Sequence, residues 1–488
     1  MPLYLPPMNL RLVDGRCLKL DAYRGESMLD APFPTKQRPR TFFVLAVFIA
    51  VALMASAESD AGAQPVELAF SSSHRLGSES VRASESNPAP YRGVVMDDGG
   101  VPLPGAVVQL AEHTAITGFD GVFSVRQPTT NTGELSIEAA GHVTSQFELP
   151  LNSQATFQLA PITIKAIYTN GEILATSGGL ESLVAIAEST EINAIVLDVK
   201  DTTIFFESQV PFFREIGSVS PLFDVQTALE LLKAHGVYAI ARIVVFQDPL
   251  VAEARPELAV HDDATGGLWR NDNGVARVNA FREELWGPNI ELALEAIGLG
   301  FNEIQYDYVR FPSDGDLGTA EFGRDYTAAA RETAITAFVT RSHDLIEPTG
   351  GKLAADLFGF VTIVDDEQYI GQRFSALAPY LDVICMMIYP SHFIEGNIAS
   401  APGHPNDYPY ETILEALQRA EQNVPGSKVK FRPWLQDFSY PSPVLRGYSP
   451  ADVKAQIDAA EEFGTAGWML WGDPFNISVT ALAIEQTM

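Results

Sequence analysis

From Ile162 to the C-terminal end, short apolar runs suited to strands alternate with longer runs of helical periodicity. The strand-like runs are IKAIYT, NAIVLDVK, VYAIARIVVF, EIQYDYVRF, KLAADLFGF, DVICMMIY, KFRPWLQDF and AGWMLWGD. Helical patterns such as VQTALELLKAHG, EELWGPNIELALEAIGLG and SPADVKAQIDAAEEFG lie between them, and Gly236, Gly300 and Gly464 fall where a helix needs a C-terminal cap before the next strand. Eight repeats of strand then helix in about 325 residues predict an α/β fold, a (β/α)₈ TIM barrel with long loops at one end. An open doubly wound sheet would need a glycine-rich phosphate turn after its first strand, and Gly171 with Gly178-Gly179 does not form one.

A parallel barrel carries its chemistry at the C-terminal ends of its strands, and those ends are unusually polar here. Strand two ends in Asp198, Lys200 and Asp201. Strand three carries Arg242 and ends near Asp248. Strand four holds Gln305, Asp307 and Arg310, and strand five Asp356. Strand six runs through Tyr389 into Ser391-His392, strand seven has Trp434, Gln436 and Asp437, and strand eight has Trp468, Trp471 and Asp473. Polar groups on a buried strand are costly unless paired or used. Their convergence at one end predicts a site, although any one of them, Arg242 above all, could serve as a structural ion pair.

The segments NAIVLDVKD, YAIARIVVFQDPLVAEARPELAV, GGLWR, GFNEIQYDYVRFPSDG, ADLFGFVT, IGQRF, MIYPSHF, PWLQDF and VKAQIDAA resemble the bacterial glycoside hydrolase-like family with a TIM-barrel domain, long catalogued as a domain of unknown function. The resemblance runs from about Ala166 to Trp471. It departs from the family pattern at Asn279-Ala280 (usually Asp-Pro), at Met386 (usually proline) and at Trp471-Gly472-Asp473 (usually Trp-Asn). Glycoside hydrolysis needs two carboxyl groups, an acid and a nucleophile or base. Asp307 and Asp356, on adjacent strands, are the expected catalytic pair. Gln-Tyr-Asp-Tyr is similar to the fourth strand of α-galactosidase-like barrels, which implies Asp307 as nucleophile and Asp356 as acid/base. The roles could be reversed, or Asp198 or Asp437 could be the partner.

Trp434, Trp269 and Tyr389 are expected to stack on sugar rings or to pack the core or a lid, and Trp471 is expected to bind substrate. Asp198, Lys200, Arg242, Gln305, Arg310, His392 and Gln436 are expected to bind hydroxyls or tune the carboxyls. The partner is a carbohydrate substrate, with no cofactor and no metal: a metal-dependent hydrolase would need a His/Asp cluster, and only His392 is near. A non-catalytic carbohydrate-binding or envelope scaffold protein on the same barrel is the alternative. The sugar, the linkage and the oligomeric state are not encoded in these motifs.

Before the barrel, residues 90–160 show short alternating runs with turn signals, YRGVVMD, PLPGAVVQL, VFSV and ELSIEAAG. They predict a small all-β sandwich. GVVMDDGGVPLPGAVVQL, TGFDGVFSV and LSIEAAGH resemble the carboxypeptidase regulatory-like family. Asp97, Asp98 and Asp120 suit tight turns better than calcium. Residues 58–89, rich in Ser, Ala and Glu, read as a flexible linker. Lys36, Arg38 and Arg40, the apolar run Thr41–Ala55 and Ala55-Ser56-Ala57 read as an export signal within an N-terminal extension over 1–57. The run is short for a span, so cleavage is favoured over an anchor, leaving no stable membrane span and a periplasmic or extracellular product. The start codon then lies early, since Met28 would begin a signal of ordinary length. Cys17 precedes the signal, so Cys385 would be the sole cysteine after cleavage. The net charge of −30 argues against a nucleic-acid partner. The exported protein should begin near Glu58. Mass spectrometry of secreted or periplasmic material checks this, and an intact Met1 in a cytoplasmic pool would contradict it.

Overall fold

The structure, a computed structural model, describes residues 90–128, 134–148 and 155–483, with a short antiparallel ladder between Leu12–Val13 and Arg16–Cys17. The signal and linker expected over 1–57 and 58–89 lie outside the described residues, that ladder apart. The described residues from 90 onward belong to one compact unit. No helix among the described residues is long and apolar enough to cross a membrane.

Seven strands come first: β1 (Tyr91–Asp97), β2 (Val107–Leu110), β3 (His113–Ile116), β4 (Val122–Val125), β5 (Glu134–Glu138), β6 (Ser145–Glu148) and β7 (Ala155–Leu159). They form a three-stranded sheet, β4-β1-β7, and a four-stranded sheet, β3-β2-β5-β6. Alternation sends Tyr91, Val95, Phe123 and Phe157 from one sheet, and Val108, Leu110, Leu135 and Ile137 from the other, into one apolar core. Gly93 is required there, because a Cβ would sit 2.7 Å from the Phe123 ring. Asp97 and Asp120 close turns, accepting the Val101 amide at 2.7 Å and the Val122 amide at 3.1 Å.

Eight parallel strand positions then close into a barrel. They are β8 (Ile164–Thr169), β9 (Ala194–Lys200), β10 (Tyr238–Val244), β11 (Glu303–Asp307), β12 (Lys352–Phe358), β13 (Val383–Met387), the seventh position split into β14 (Lys430–Phe431) and β15 (Trp434–Asp437), and β16 (Gly467–Gly472). Each pairs with the next, and β16 returns to β8. The break at β14/β15 falls at Pro433, which has no amide to give the ladder. The main covering helices are α1 (Gly179–Ser189), α2 (Val225–Ala234), α3 (Trp286–Leu299), α4 (Ala328–Ile346), α5 (Pro409–Asn423) and α6 (Pro450–Phe463). Asp224 caps α2 through the Thr227 amide at 2.7 Å, and Ser449 and Asp452 form a capping box on α6. Gly300 and Gly464 end α3 and α6 with φ of +118° and +83°, as their spacing predicts.

The strands are apolar on both faces, so two cores form. Outward residues such as Ile195, Leu197, Ile243, Ile304 and Leu470 meet the helices. Inward residues Ala166, Val196, Ile240, Ala354, Cys385 and Met469 fill the barrel. At the floor Arg432 is ion-paired with Glu303, to which the Tyr238 hydroxyl also donates at 3.4 Å. The sandwich meets this N-terminal end, opposite the strand ends that carry the site: a Cβ on Gly105 would lie 2.4 Å from the Thr349 carbonyl oxygen, and Glu138 lies 3.8 Å from Lys233.

Arg432→Met strands a buried carboxylate and should cost about 3–5 kcal/mol in urea unfolding. The double change Arg432→Met/Glu303→Met should recover most of that loss. A double variant no more stable than the single one would show that the floor pair does more than satisfy itself.

Candidate active site

β8 to β12, β15 and β16 each place one side chain in the uppermost layer of the barrel. Strand alternation explains the choice, since Tyr168, Asp198, Arg242, Asp307, Asp356, Trp434 and Trp471 all fall on inward positions near the C-terminal ends. The Arg242 guanidinium, 1% exposed, is the hub. Its Nη1 lies 2.6 Å from Asp198 Oδ1. Its Nε and Nη2 donate to one oxygen of Asp307, Oδ2, at 3.1 and 2.5 Å. Asp356 Oδ2 stands 4.0 Å from the same Nε. Two oxygens at those distances from one atom are at most about 7 Å apart, which does not exceed the separations over which carboxyl pairs act on a glycosidic bond.

One cation faces three carboxyls, and burial divides them. Asp356 is raised well above the ordinary carboxyl range, first by burial and then by the Asp307 charge, against the pull of Arg242 and the Trp434 hydrogen bond. Trp434 Nε1 donates to its Oδ1 at 2.7 Å. Asp198 is pushed up to about 6 by burial, although Arg242 and the Tyr168 hydroxyl, 2.5 Å from Oδ2, oppose the rise. Asp307 Oδ1 accepts the Tyr308 amide at 2.6 Å. Tyr308 has φ of +51°, an uncommon conformation for a bulky residue, at the point where β11 turns away from the barrel.

Aromatic rings wall the carboxyls. Tyr168 packs on Trp471 with centroids 4.2 Å apart, Trp434 lies edge-on to Trp471 at 5.4 Å, and the Arg242 guanidinium sits over Trp471 at 5.2 Å. Tyr389 stands on the β13 side between His392 and Phe438, close enough for the Asp356 and Asp307 charges to raise its hydroxyl further after burial has done so. Phe358, Met387, Tyr389, His392 and Phe393 line a small cavity there of about 30 Å³. Two glutamines outside the layer fix its frame. Gln372 accepts the Phe358 amide at 2.9 Å and reaches the Asp356 and Val309 carbonyls at 3.4 Å, tying the ends of β11 and β12 together. Gln456 on α6 exchanges two hydrogen bonds with the Gln436 backbone, at 2.9 and 2.8 Å.

Asp198, Arg242, Asp307, Asp356, Trp434 and Trp471 are therefore brought together, with Tyr389 beside them. Other expected sugar contacts lie elsewhere. A bulge in β9 between Asp198 and Lys200 breaks the alternation, and Lys200 pairs with Asp248 at 2.8 Å over the Phe213 ring in the outer core. Gln305 points inward but two residues, about 6.6 Å, below Asp307, against Met469 in the barrel core. Gln436 is buried and accepts the Ser391 amide at 3.0 Å, so it holds the 390–392 turn. Both Asp437 oxygens are taken by Ser478, at 2.9 and 2.5 Å. Trp269 is a packed loop residue donating to the Asp316 carbonyl at 2.9 Å. Arg310 bonds Ser313 at 2.6 Å and reaches neither Asp307 nor Asp356 with an ion pair. Tyr168 was missed by the sequence reading, although IKAIYT ends strand one on a tyrosine where its neighbours end on charges. Among the described residues, no group of three or more His, Cys, Asp or Glu is arranged to hold a metal ion.

His392 lies among Tyr389, Phe438 and Tyr440, and burial lowers its imidazole from 6.5 to about 4. The unfolded chain binds its proton more readily, so the stability contributed by neutral His392 is complete above pH 6.5 and is lost as pH falls toward 4. Asp198, raised above its unfolded value, acts in the opposite sense: its contribution is lost as pH rises from about 4 to 6. Between pH 6.5 and 4, His392→Gln should lose on the order of 2 kcal/mol less stability than the native chain, allowing for partial exposure. Urea midpoints at both ends of that range test this; identical acid limbs would remove His392 from the account.

Residues 166–476 match the DUF4015 family, described as a putative glycosyl hydrolase domain. No curated protein matches the sequence. Among solved structures, a hypothetical protein from Ruminiclostridium thermocellum ATCC 27405 is 32% identical over 39% of this chain and 96% of its own, with a TM-score of 0.35. The PgaB (BpsB) glycoside hydrolase domain from Bordetella bronchiseptica is 12% identical over 64% of this chain and 95% of its own, with a TM-score of 0.47. A chitinase from Chromobacterium violaceum ATCC 12472 is 14% identical over 65% and 97%, with a TM-score of 0.38. The family match takes in all of the barrel but the first two residues of β8, and every member of the carboxyl cluster, so this chain belongs to the DUF4015 family.

Proposed function

We propose that this protein is an exported glycoside hydrolase acting on a polysaccharide or cell-envelope glycan, with Asp356 as the acid and Asp307 as the nucleophile or base. The observation that carries the reading is the unequal treatment of two neighbouring carboxyls by one guanidinium. Asp307 takes two Arg242 donors and the Tyr308 amide. Asp356 stands at the edge of the same cation, and burial favours its protonated form. An acid must hold its proton at working pH and its partner must be ready to attack or to activate water, and environment is what separates such pairs.

In the reaction the Asp356 proton passes to the glycosidic oxygen as the C–O bond breaks. With Asp307 as nucleophile, its oxygen bonds to the anomeric carbon in that same step, and water that gives its proton to Asp356 then displaces Asp307; with Asp307 as base, it takes the proton of the water that attacks the anomeric carbon. Arg242 holds Asp307 in place, and Trp471, the partly buried member of the aromatic wall, is the ring left for contact with a sugar. The side chains of Asp307 and Asp356 are only 7% and 1% exposed, which favours the second reading, a carbohydrate-binding barrel without turnover.

A panel of polysaccharides and aryl glycosides, assayed with the native protein and both Asp→Asn variants, separates the two. Each variant should lower kcat by about 10²–10⁴-fold on natural glycans, with unfolding midpoints showing an intact fold. On aryl glycosides, whose leaving groups need little protonation, Asp356→Asn should be largely spared and Asp307→Asn should not. Native activity should fall as pH rises through the elevated Asp356 pKa. Hydrolysis at the native rate in either variant excludes the pair, and saturable binding without any hydrolysis supports the scaffold.

A further inference from the structure

Beside the carboxyl cluster lie two buried arginines, of which Arg277 is paired with a carboxylate and Arg310 with none among the described residues. Arg277, on the loop between β10 and α3, and Arg310, on the loop after β11, both lie over the Tyr308 ring, at 5.9 and 5.0 Å from its centroid. Each is 5% exposed. Arg277 Nη2 is 3.0 Å from Asp314, and its Nη1 donates to Gln247, while its Nε has no partner. The other Asp314 oxygen is taken by Asn271 at 2.5 Å. Arg310 Nη1 donates to Ser313 Oγ at 2.6 Å and to the Phe311 carbonyl at 3.4 Å, and the guanidinium lies over Phe358 at 5.4 Å. Among the described residues it pairs with no carboxylate.

A guanidinium so far out of water is normally matched by an anion, because its desolvation is otherwise uncompensated. Ring faces and a hydroxyl do not supply that match, and most of the fork stays free for a planar or tetrahedral oxyanion. The second arginine sharpens the point: burial holds Arg277 below its ordinary value, and the Arg310 charge pushes in the same direction. Both guanidinium groups lie over the ring of Tyr308, whose amide donates to Asp307 Oδ1, so the cationic pair adjoins the carboxyl cluster. The overall charge of −30 does not oppose this, since solvent screens distant charges beyond about 8 Å.

We infer that Arg310, with Arg277 beside it, binds an oxyanion carried on the glycan next to the scissile bond, so that the substrate class is an acidic glycan. The inference rests on the glycosidase reading for the word substrate, but the site itself does not depend on turnover. A bound carboxylate, phosphate or sulfate would accept from the free Arg310 donors and compensate the one guanidinium that no carboxylate matches.

The test follows the Nε–Hε signals of ¹⁵N-arginine in the full chain during titration with galacturonate, its methyl ester, galactose 6-phosphate, galactose 6-sulfate and galactose. At least one anionic sugar should shift signals saturably while galactose and the ester do not. A response to galacturonate alone points to uronic acids, and a response to the 6-phosphate or 6-sulfate alone points to esterified glycans. Arg310→Gln should abolish the saturable response and Arg310→Lys should retain a weaker one. No saturable difference between the anionic sugars and galactose overturns the inference, as does a full response in Arg310→Gln. If the glutamine variant does not fold, the acid-against-ester comparison on the native chain decides. Binding and turnover are read separately, so an anion response in a protein without hydrolysis sinks the glycosidase reading alone, and Asp-dependent hydrolysis without an anion response sinks this one.

Discussion

Arg242 is the interaction on which the top of the barrel depends. Its guanidinium is buried, and it reaches Asp198, Asp307 and Asp356 on three different strands. Coulomb attraction is strong in such a setting but so is desolvation, and a single positive charge cannot offset three negative ones. Burial answers this by favouring the protonated form of Asp356, held well above the ordinary carboxyl range, and by pushing Asp198 up to about 6. A cluster that would be unstable if fully ionised thereby becomes a set of groups with different proton affinities, which is what acid–base chemistry requires.

The rest of the molecule holds that cluster still. Below it the barrel is a packed interior of small and apolar side chains, with Gln305 and Met469 in the middle and the Glu303–Arg432 pair at the floor. Around it Trp434, Tyr168, Gln372 and Gln456 each satisfy a polar group at the strand ends. These side chains come from strands, a loop and a helix far apart in sequence. The β-sandwich meets the opposite end and leaves the mouth clear.

Several site residues were legible before any coordinates. Strand periodicity marks Asp198, Arg242, Asp307, Asp356, Trp434 and Trp471 as inward positions near the C-terminal ends, and the closed barrel brings them together. Lys200 fails because alternation is a rule about regular strands, and a bulge two residues after Asp198 turns the lysine into the outer core. Gln305 fails for a different reason. It lies on the correct face but at the wrong height, and a sequence pattern of period two carries face without depth. Asp437 and Gln436 sit at the expected height but are consumed by Ser478 and the 390–392 turn, partners that no spacing rule identifies.

By itself the sequence determined the eight-fold alternation, the helix ends at Gly300 and Gly464, the sandwich-like strands before the barrel and the polar composition of the strand ends. Each of these follows from local periodicity, turn chemistry or residue type. Only the tertiary structure decided that Arg242 and not Arg310 meets the carboxyls, that Arg242 donates to Asp307 but stands 4.0 Å from Asp356, and that Tyr168 completes the wall. Those outcomes depend on distances across the barrel and on burial, and both arise when strands remote in sequence close into a ring. Proton affinity is a property of that enclosure, because the same aspartate side chain, drawn from water and set beside another charge, becomes a different acid.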